Sequence, residues 1–197
     1  MDRALVLLGR IDDAPEAALD ALLAALPYGR RLELEARDAA ARRAGLAGTA
    51  LALAALARVR GSPVRAAELA FPQGGKPAVP GGPDFSVAHA GDAVGVAAVP
   101  AGLVGFDLEP LVDVADRARL ERWTATEAVL KAAGRGLRDA GEVELSPAMD
   151  AGRLAARHYR LHCVDAGMDC LAWLATDRGL AGVDVERVDL SALAAPF

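Results

Sequence analysis

Two carboxylates stand two positions apart near the middle of the chain, at Asp107 and Glu109 in the segment GFDLE. Residues two apart in a strand point to one face, so both carboxylates share a side while Phe106 and Leu108 point into the core. Adjacent carboxylates repel each other unless a cation lies between them, and Mg²⁺ prefers such oxygen ligands. A solvated acidic strand end is the alternative interpretation.

A helical segment follows, with the sequence WTATEAVLK. Glu127 and Lys131 are four residues apart and therefore share a helix face. An ordinary surface ion pair, which stabilises a helix by about 0.3–0.5 kcal/mol, is the alternative interpretation. Trp123, Leu130 and Leu137 fall at helical spacing on a neighbouring face and are predicted to be core residues.

Lysine is rare in this chain. Of 22 basic residues, Lys76 and Lys131 are the two lysines, and the others are arginines. An arginine fork cannot replace a compact ammonium at every site, so these lysines are the first candidates for chemistry. Lys76 lies in a Gly-Pro-rich loop just before His89. We expect both residues, with Arg42 and Arg43 of the second predicted helix, to gather around phosphates. A structural role for a histidine at a strand end is the alternative.

The remaining pattern predicts a mixture of helices and strands. Predicted helices span 14–26, capped by Asp12 or Asp13 and ended by Pro27, then 38–60, ended by Gly61, and 115–133, ended by Gly134. Predicted strands span 4–8, 85–89, 93–99, 103–108, 157–164 and 169–176, with a loop at 72–83. Without a strict strand–helix–strand rhythm, the fold class is α+β.

An internal repeat relates two segments. Residues 92–109 and 169–186 align without a gap at an offset of 77 positions, with seven of 18 residues identical. The repeat predicts the same strand–turn–strand hairpin in each half. The chain is thus expected to be a pseudo-dimer of two lobes, 1–110 and 111–197, each a small antiparallel sheet packed on a long helix. The second acidic pair, Asp184 and Glu186, is interpreted as a decoy because no glutamate–lysine helix follows it.

Four segments in sequence order, GGKP, FSVAHAGD, GFDLE and WTATEAVLKAAGRGL, resemble the signature blocks of the Sfp-type 4′-phosphopantetheinyl transferases. The resemblance runs from about residue 27 to residue 176 and is strongest in the last two blocks. It implies a pseudo-dimeric fold with the active site between the lobes. It also implies an enzyme that uses Mg²⁺ to transfer 4′-phosphopantetheine from coenzyme A to a serine of an acyl or peptidyl carrier protein, with release of 3′,5′-ADP.

The resemblance also implies roles for single residues. Asp107 and Glu109 would bind the metal, with Glu127 as a third ligand or as the base for the acceptor serine. Lys131 would contact the coenzyme A pyrophosphate. His89 and Lys76 would contact the phosphates of the coenzyme A nucleotide. Arg43, together with Arg30 or Arg31, would form part of the cationic patch that recognises the 3′-phosphate.

One departure from the family pattern stands beside the catalytic motif. The family usually has lysine immediately before the helix glutamate, where this chain has Thr126. The connection from Glu109 to Trp123 is also short, which would alter the surface for the carrier protein. A paralogue that binds coenzyme A or a carrier protein without transfer is therefore the second hypothesis.

Composition argues against other classes of function. A net charge of −5 argues against a general nucleic-acid binder and against a nuclease built on the Asp-x-Glu pair. The apolar run 44–57 is shorter than the roughly 20 residues that span a bilayer. The N-terminus lacks a signal-peptide pattern, so we expect a cytoplasmic protein without membrane contact. Since two lobes in one chain supply both sides of a shared cleft, we expect a monomer. His158 and His162, on one strand face, form an alternative metal site, with packing as the competing role.

Overall fold

The structure, a computed structural model, describes residues 2–73, 75–112, 115–167 and 169–193. Its fold is α+β, as predicted. The helices are α1 (Glu16–Ala25), α2 (Tyr28–Glu35), α3 (Ala39–Arg60) and α4 (Arg117–Ala133). The strands are β1 (Arg3–Arg10), β2 (Asp84–Ala90), β3 (Ala93–Val99), β4 (Val104–Pro110), β5 (Glu144–Leu145), β6 (Ala151–Leu154), β7 (Arg157–Val164), β8 (Cys170–Thr176) and β9 (Gly182–Arg187).

The strands form two sheets that pack between helices. Sheet 1 has the order β2-β3-β1-β9, in which β1 and β9 run parallel and the other neighbours antiparallel. Sheet 2 has the antiparallel order β4-β8-β7-β6-β5. One apolar core lies between α1, α3 and sheet 1, a second between the two sheets, and a third between sheet 2 and α4. The strand β4 is thus covered on both faces.

The two long helices begin and end close to the predicted positions. The Asp38 side chain caps α3 by accepting a hydrogen bond from the Ala41 backbone nitrogen at 2.8 Å. Asp116 caps α4 in the same way. Both helices end at glycines with positive φ, Gly61 at 74° and Gly134 at 65°, a conformation that other residues adopt at a cost. The predicted glycine ends are therefore confirmed.

The start of the chain differs from the prediction in two places. Asp12 and Asp13 do not cap α1, because Pro15 occupies the N-cap position with an extended backbone. Pro27 follows α1 as predicted, but α2 begins immediately after it. Proline is tolerated at a helix start because the first N–H groups need no partner inside the helix. The sequence did not predict α2, because Leu34 is its single buried residue and the helix therefore shows no apolar periodicity.

The predicted hairpins are wrong. Within the first repeat, β3 pairs with β1 and β2 in sheet 1, while β4 pairs with β8 in sheet 2. Within the second repeat, β8 lies in sheet 2 and β9 pairs with β1 in sheet 1. Since β1 and β2 occupy both edges of β3, the following strand must pair elsewhere. Each repeat therefore contributes one strand to each sheet.

Candidate functional site

A close approach of β4 to α4 brings the two acidic motifs together. A Cβ atom added to Gly105 would lie 1.8 Å from the Ala128 carbonyl oxygen and 2.3 Å from the Ala132 backbone nitrogen. A residue with a side chain cannot occupy this position without moving the helix. Because side chains alternate along a strand, Asp107 and Glu109 share the face of Gly105 that is directed at α4.

Three carboxylates converge beside this contact. Asp107, Glu109 and Glu127 each offer an oxygen, and the three oxygens lie within 4.8 Å of one another. Lys131 Nζ donates a hydrogen bond to Asp107 Oδ1 at 2.6 Å. The other oxygen of Asp107, Oδ2, is buried and has no hydrogen-bond partner among the described residues. Since buried oxygens normally have a partner, Oδ2 offers a ligand position for a cation.

The electrostatics of this cluster also fit a cation. Burial raises the pKa of the Asp107 carboxyl, an effect that the Lys131 ammonium opposes. Burial, followed by the charge of Asp107, raises the pKa of Glu109 and that of Glu127. A divalent ion bound by these carboxylates would offset the repulsion among them. Three carboxylate oxygens without sulfur or imidazole suit Mg²⁺.

Trp123 contacts the carboxylate cluster and is not a core residue. Its side chain and that of Leu137 are exposed, so their predicted core positions are wrong, whereas Leu130 is buried as predicted. Trp123 Nε1 donates a hydrogen bond to Glu109 Oε1 at 3.1 Å. The polar edge of the indole holds Glu109, which explains why this large side chain stays at the surface.

Lys131 also lines a cavity of about 320 Å³ between α2, α3, β2 and the C-terminal end of α4. Its basic lining residues are Arg30, Arg37, Lys76, His89, Lys131 and Arg135. No aspartate or glutamate belongs to the described lining. The five lysines and arginines each pair with a carboxylate outside this lining. Their remaining N–H donors suit the oxygens of an anionic ligand, and the guanidinium groups suit phosphate in particular.

Arg30 is held in place at this cavity. Its guanidinium carbon lies 4.8 Å from the centre of the Phe71 ring, a cation–π distance. Its Nη1 is 2.7 Å from Glu33, and this hydrogen bond lowers the pKa of the Glu33 carboxyl. The side chain is only 14% exposed, and its Nε is buried without a described partner. A planar fork fixed in this way loses little entropy when it binds a phosphate.

The predicted phosphate-binding residues separate into two groups. Lys76, His89 and Lys131 line the basic cavity. Arg43 does not belong to that lining, and its guanidinium instead bonds Glu16 at 2.6 Å together with two backbone carbonyls of the β1–α1 connection. Arg30, a further candidate for the cationic patch, does line the cavity.

Two cavity residues were missed by sequence reasoning. Arg37 directly precedes the cap of α3, and Arg135 follows the glycine that ends α4. Both lie outside regular helix, where no periodicity predicts the direction of a side chain. Arg135 Nε donates to Asp139 at 2.7 Å, which fixes the base of the guanidinium.

Neither the second acidic pair nor the histidine pair is supported as a metal site. The acidic pair of the second repeat is bound by arginines, Asp184 by Arg3 at 2.5 Å and Glu186 by Arg58. Within the described ranges, the cluster of Asp107, Glu109 and Glu127 is the one group of three side chains that meets the geometry of a metal site. His158 and His162 are thus not part of such a group.

The chain matches no family model, and no curated protein matches it. Across the part of the chain that the structure describes, no helix combines the length and the apolar character needed to cross a bilayer. Function is therefore inferred from the carboxylate cluster and the basic cavity.

Proposed function

We propose that this chain is a magnesium-dependent 4′-phosphopantetheinyl transferase of the Sfp type, which modifies a serine of an acyl or peptidyl carrier protein. The main support is the 2.6 Å hydrogen bond between Lys131 and Asp107. Through Lys131, the carboxylate cluster adjoins a cavity lined by six basic residues. A cation site beside a pocket for a polyanion suits transfer from a pyrophosphate-containing donor such as coenzyme A.

The proposal includes a pseudo-dimeric fold. The offset of 77 positions that relates the repeats carries α3 onto residues 116–137, where α4 lies, and carries β3 onto the bounds of β8. The same offset carries β4 onto 181–187, which contains β9. The units 1–110 and 111–197 would then each give their last strand to the sheet of the other unit. Because both sides of the cleft come from one chain, we expect a monomer.

The basic cavity would bind the phosphates of coenzyme A. Lys131 lies between the cavity and the carboxylates, so it would bind the pyrophosphate. His89 lies at the exposed end of β2 and also lines the cavity. Arg30 and Arg37 lie on the α2 side, where their forks suit the nucleotide 3′-phosphate. The three carboxylates would hold Mg²⁺, which supplies neutralisation of the charge on the pyrophosphate.

The reaction needs one bond made and one broken. The serine oxygen attacks the β-phosphorus of coenzyme A, and the bond from this phosphorus to the bridging oxygen breaks. The electron pair leaves with 3′,5′-ADP, whose new charge Lys131 would stabilise. Two roles fit Glu127. Its carboxylate oxygen lies close enough to those of Asp107 and Glu109 for the three to bind one ion. Its raised pKa also makes it a better acceptor for the serine proton.

The proposal is tested by incubating the protein with fluorescent coenzyme A, Mg²⁺ and a panel of apo carrier proteins. We expect the parent chain to label at least one carrier. The control variant Glu121→Gln should label it equally, because Glu121 lies on α4 but pairs with Arg117 and not with the carboxylate cluster. Asp107→Asn should lower the labelling rate by about 10³-fold, because it removes the central charge of the site. Equal labelling by Asp107→Asn would contradict the proposal.

A second candidate, a binding protein without transferase activity, rests on Thr126. Its hydroxyl donates to the Arg122 backbone carbonyl at 2.8 Å, so this position supplies no cation to the site. The same experiment separates the two functions. If coenzyme A raises the Tm of this protein in the presence of Mg²⁺ but no carrier is labelled, the result would favour the binding protein.

A further inference from the structure

The two sheets are joined along their edges by side chains. The strands β2 and β4 are edge strands of sheet 1 and sheet 2. The Val104 backbone nitrogen donates to Asp84 Oδ2 at 2.7 Å, and the Phe106 nitrogen donates to Ser86 Oγ at 3.0 Å. Asp84 and Ser86, two residues apart on β2, thus replace the backbone partners that the free edge of β4 would otherwise lack. We call these contacts the β2–β4 seam.

A lysine stands at each end of the seam. Lys76 binds the Asp84 carboxylate and donates to the Val104 carbonyl at 2.6 Å. Lys131 binds the Asp107 carboxylate and donates to the Val87 carbonyl at 3.4 Å. Each ammonium therefore joins a carboxylate on one strand to a backbone carbonyl on the other.

This arrangement explains why lysine occurs at these two positions of an arginine-rich chain. An ammonium has three donors around one compact nitrogen, so it can bind two acceptors from different strands in a confined space. Lys76 is only 14% exposed and its partner Asp84 18%. A planar guanidinium spreads its donors over a fixed fork, so it matches two acceptors around a single point less well.

We propose that Lys76, Asp84 and Ser86 are positioning residues that fix β4 against β2 and so direct Asp107 at the cation. Val104 and Phe106, which the seam holds, precede Asp107 on the same strand, and Lys131 binds Asp107 directly. The proposal rests on the proposed function and explains how the residues of its cation site are positioned. In this proposal Lys76 joins β2 to β4, whereas the family resemblance implies that Lys76 binds the phosphates of coenzyme A.

The two assignments of Lys76 predict opposite effects of Asp84→Ala. If Lys76 binds a phosphate, loss of Asp84 frees its ammonium and strengthens coenzyme A binding. If Lys76 and Asp84 position β4, loss of either weakens the cation site. Side chains that orient metal ligands typically contribute about 10–100-fold to metal affinity, so a loss of about tenfold is expected.

The experiment measures Mn²⁺ affinity by electron paramagnetic resonance for the parent, Lys76→Met and Asp84→Ala. Mn²⁺ replaces Mg²⁺ as an observable ion with similar oxygen ligands. Ser86→Ala, which removes the Phe106 partner, is the milder variant if Asp84→Ala does not fold. Leu22→Ala, in the core between α1 and sheet 1, is the control for lost stability without a damaged seam. All proteins are measured at a temperature where circular dichroism shows them folded.

We expect a drop of about tenfold in Mn²⁺ affinity for both seam variants, a smaller drop for Ser86→Ala, and the parent value for Leu22→Ala. Coenzyme A affinity of Asp84→Ala should fall with that of the ion. Unchanged Mn²⁺ affinity in the seam variants, or stronger coenzyme A binding by Asp84→Ala, would overturn the inference while the proposed function stands. A parent chain that binds no Mn²⁺ through Asp107 would overturn both.

Discussion

Replacing Glu127 by glutamine should stabilise the metal-free protein and remove most of its response to Mg²⁺. The three carboxylate oxygens lie within 4.8 Å of one another, and two unit charges at that distance repel by about 3.5 kcal/mol at an effective dielectric constant of about 20. Glu127 is partly exposed, and solvent screening reduces the expected gain to about 1 kcal/mol. In a chain of 197 residues, this gain raises the Tm by about 2–4 °C.

The pH dependence of this effect has a defined sign. Because burial and the Asp107 charge raise the pKa of Glu127 in the folded state, its contribution to stability is fully present below the unfolded pKa. It is lost as the pH rises through the folded pKa. The advantage of Glu127→Gln over the parent should therefore be absent in acid and appear toward neutral pH.

Mg²⁺ should reverse the order of the two proteins. An ion at 100 times its Kd stabilises the folded state by about 2.7 kcal/mol, which raises the Tm of the parent by about 5–10 °C. The assay is scanning calorimetry at pH 7, with EDTA or with increasing MgCl₂, on the parent, Glu127→Gln and Glu121→Gln. Glu121 lies on the same helix but pairs with Arg117, so its variant should respond as the parent does. An equal Mg²⁺ shift in parent and Glu127→Gln would refute the metal site.

Three further predictions concern single residues. Gly105→Ala should cost more than about 3 kcal/mol in urea unfolding, because its Cβ would lie 1.8 Å from a backbone oxygen of α4, whereas Gly136→Ala meets nothing within 4 Å and should change little. A hydrogen bond from Arg60 and one from a backbone N–H lower the pKa of Glu68 to about 2. Glu68 should therefore stabilise the fold above pH about 4.5, and acid titration should show this contribution disappearing toward pH 2. The Glu68→Gln variant should lack this pH-dependent contribution. Arg30→Ala should weaken coenzyme A binding about tenfold by calorimetry, because it removes a charged fork. Arg43→Ala should leave that affinity unchanged, and equal losses in the two variants would contradict the assignment of the cavity.

The sequence by itself determined the local parts of the candidate site. Alternation along β4 placed Asp107 and Glu109 on one face, and helical spacing placed Glu127 and Lys131 on one face of α4. The glycines at positions 61 and 134 marked the ends of both long helices correctly. These features depend on periodicity and on the φ of single residues, so neighbours in the chain suffice to predict them.

Only the tertiary structure decided which distant residues meet. The placement of β4 in sheet 2 and of β9 in sheet 1 depends on which strand edges are already occupied, and no local pattern contains that information. The places of Arg37 and Arg135 in the cavity, and of Arg43 outside it, follow from how α2, α3 and the end of α4 pack together. Lys76 was singled out by its rarity, but its partners lie 8 and 28 residues away and become neighbours only when β2 and β4 align. Contacts of this kind are set by packing of the whole chain, because the free energy of each depends on all the others being formed.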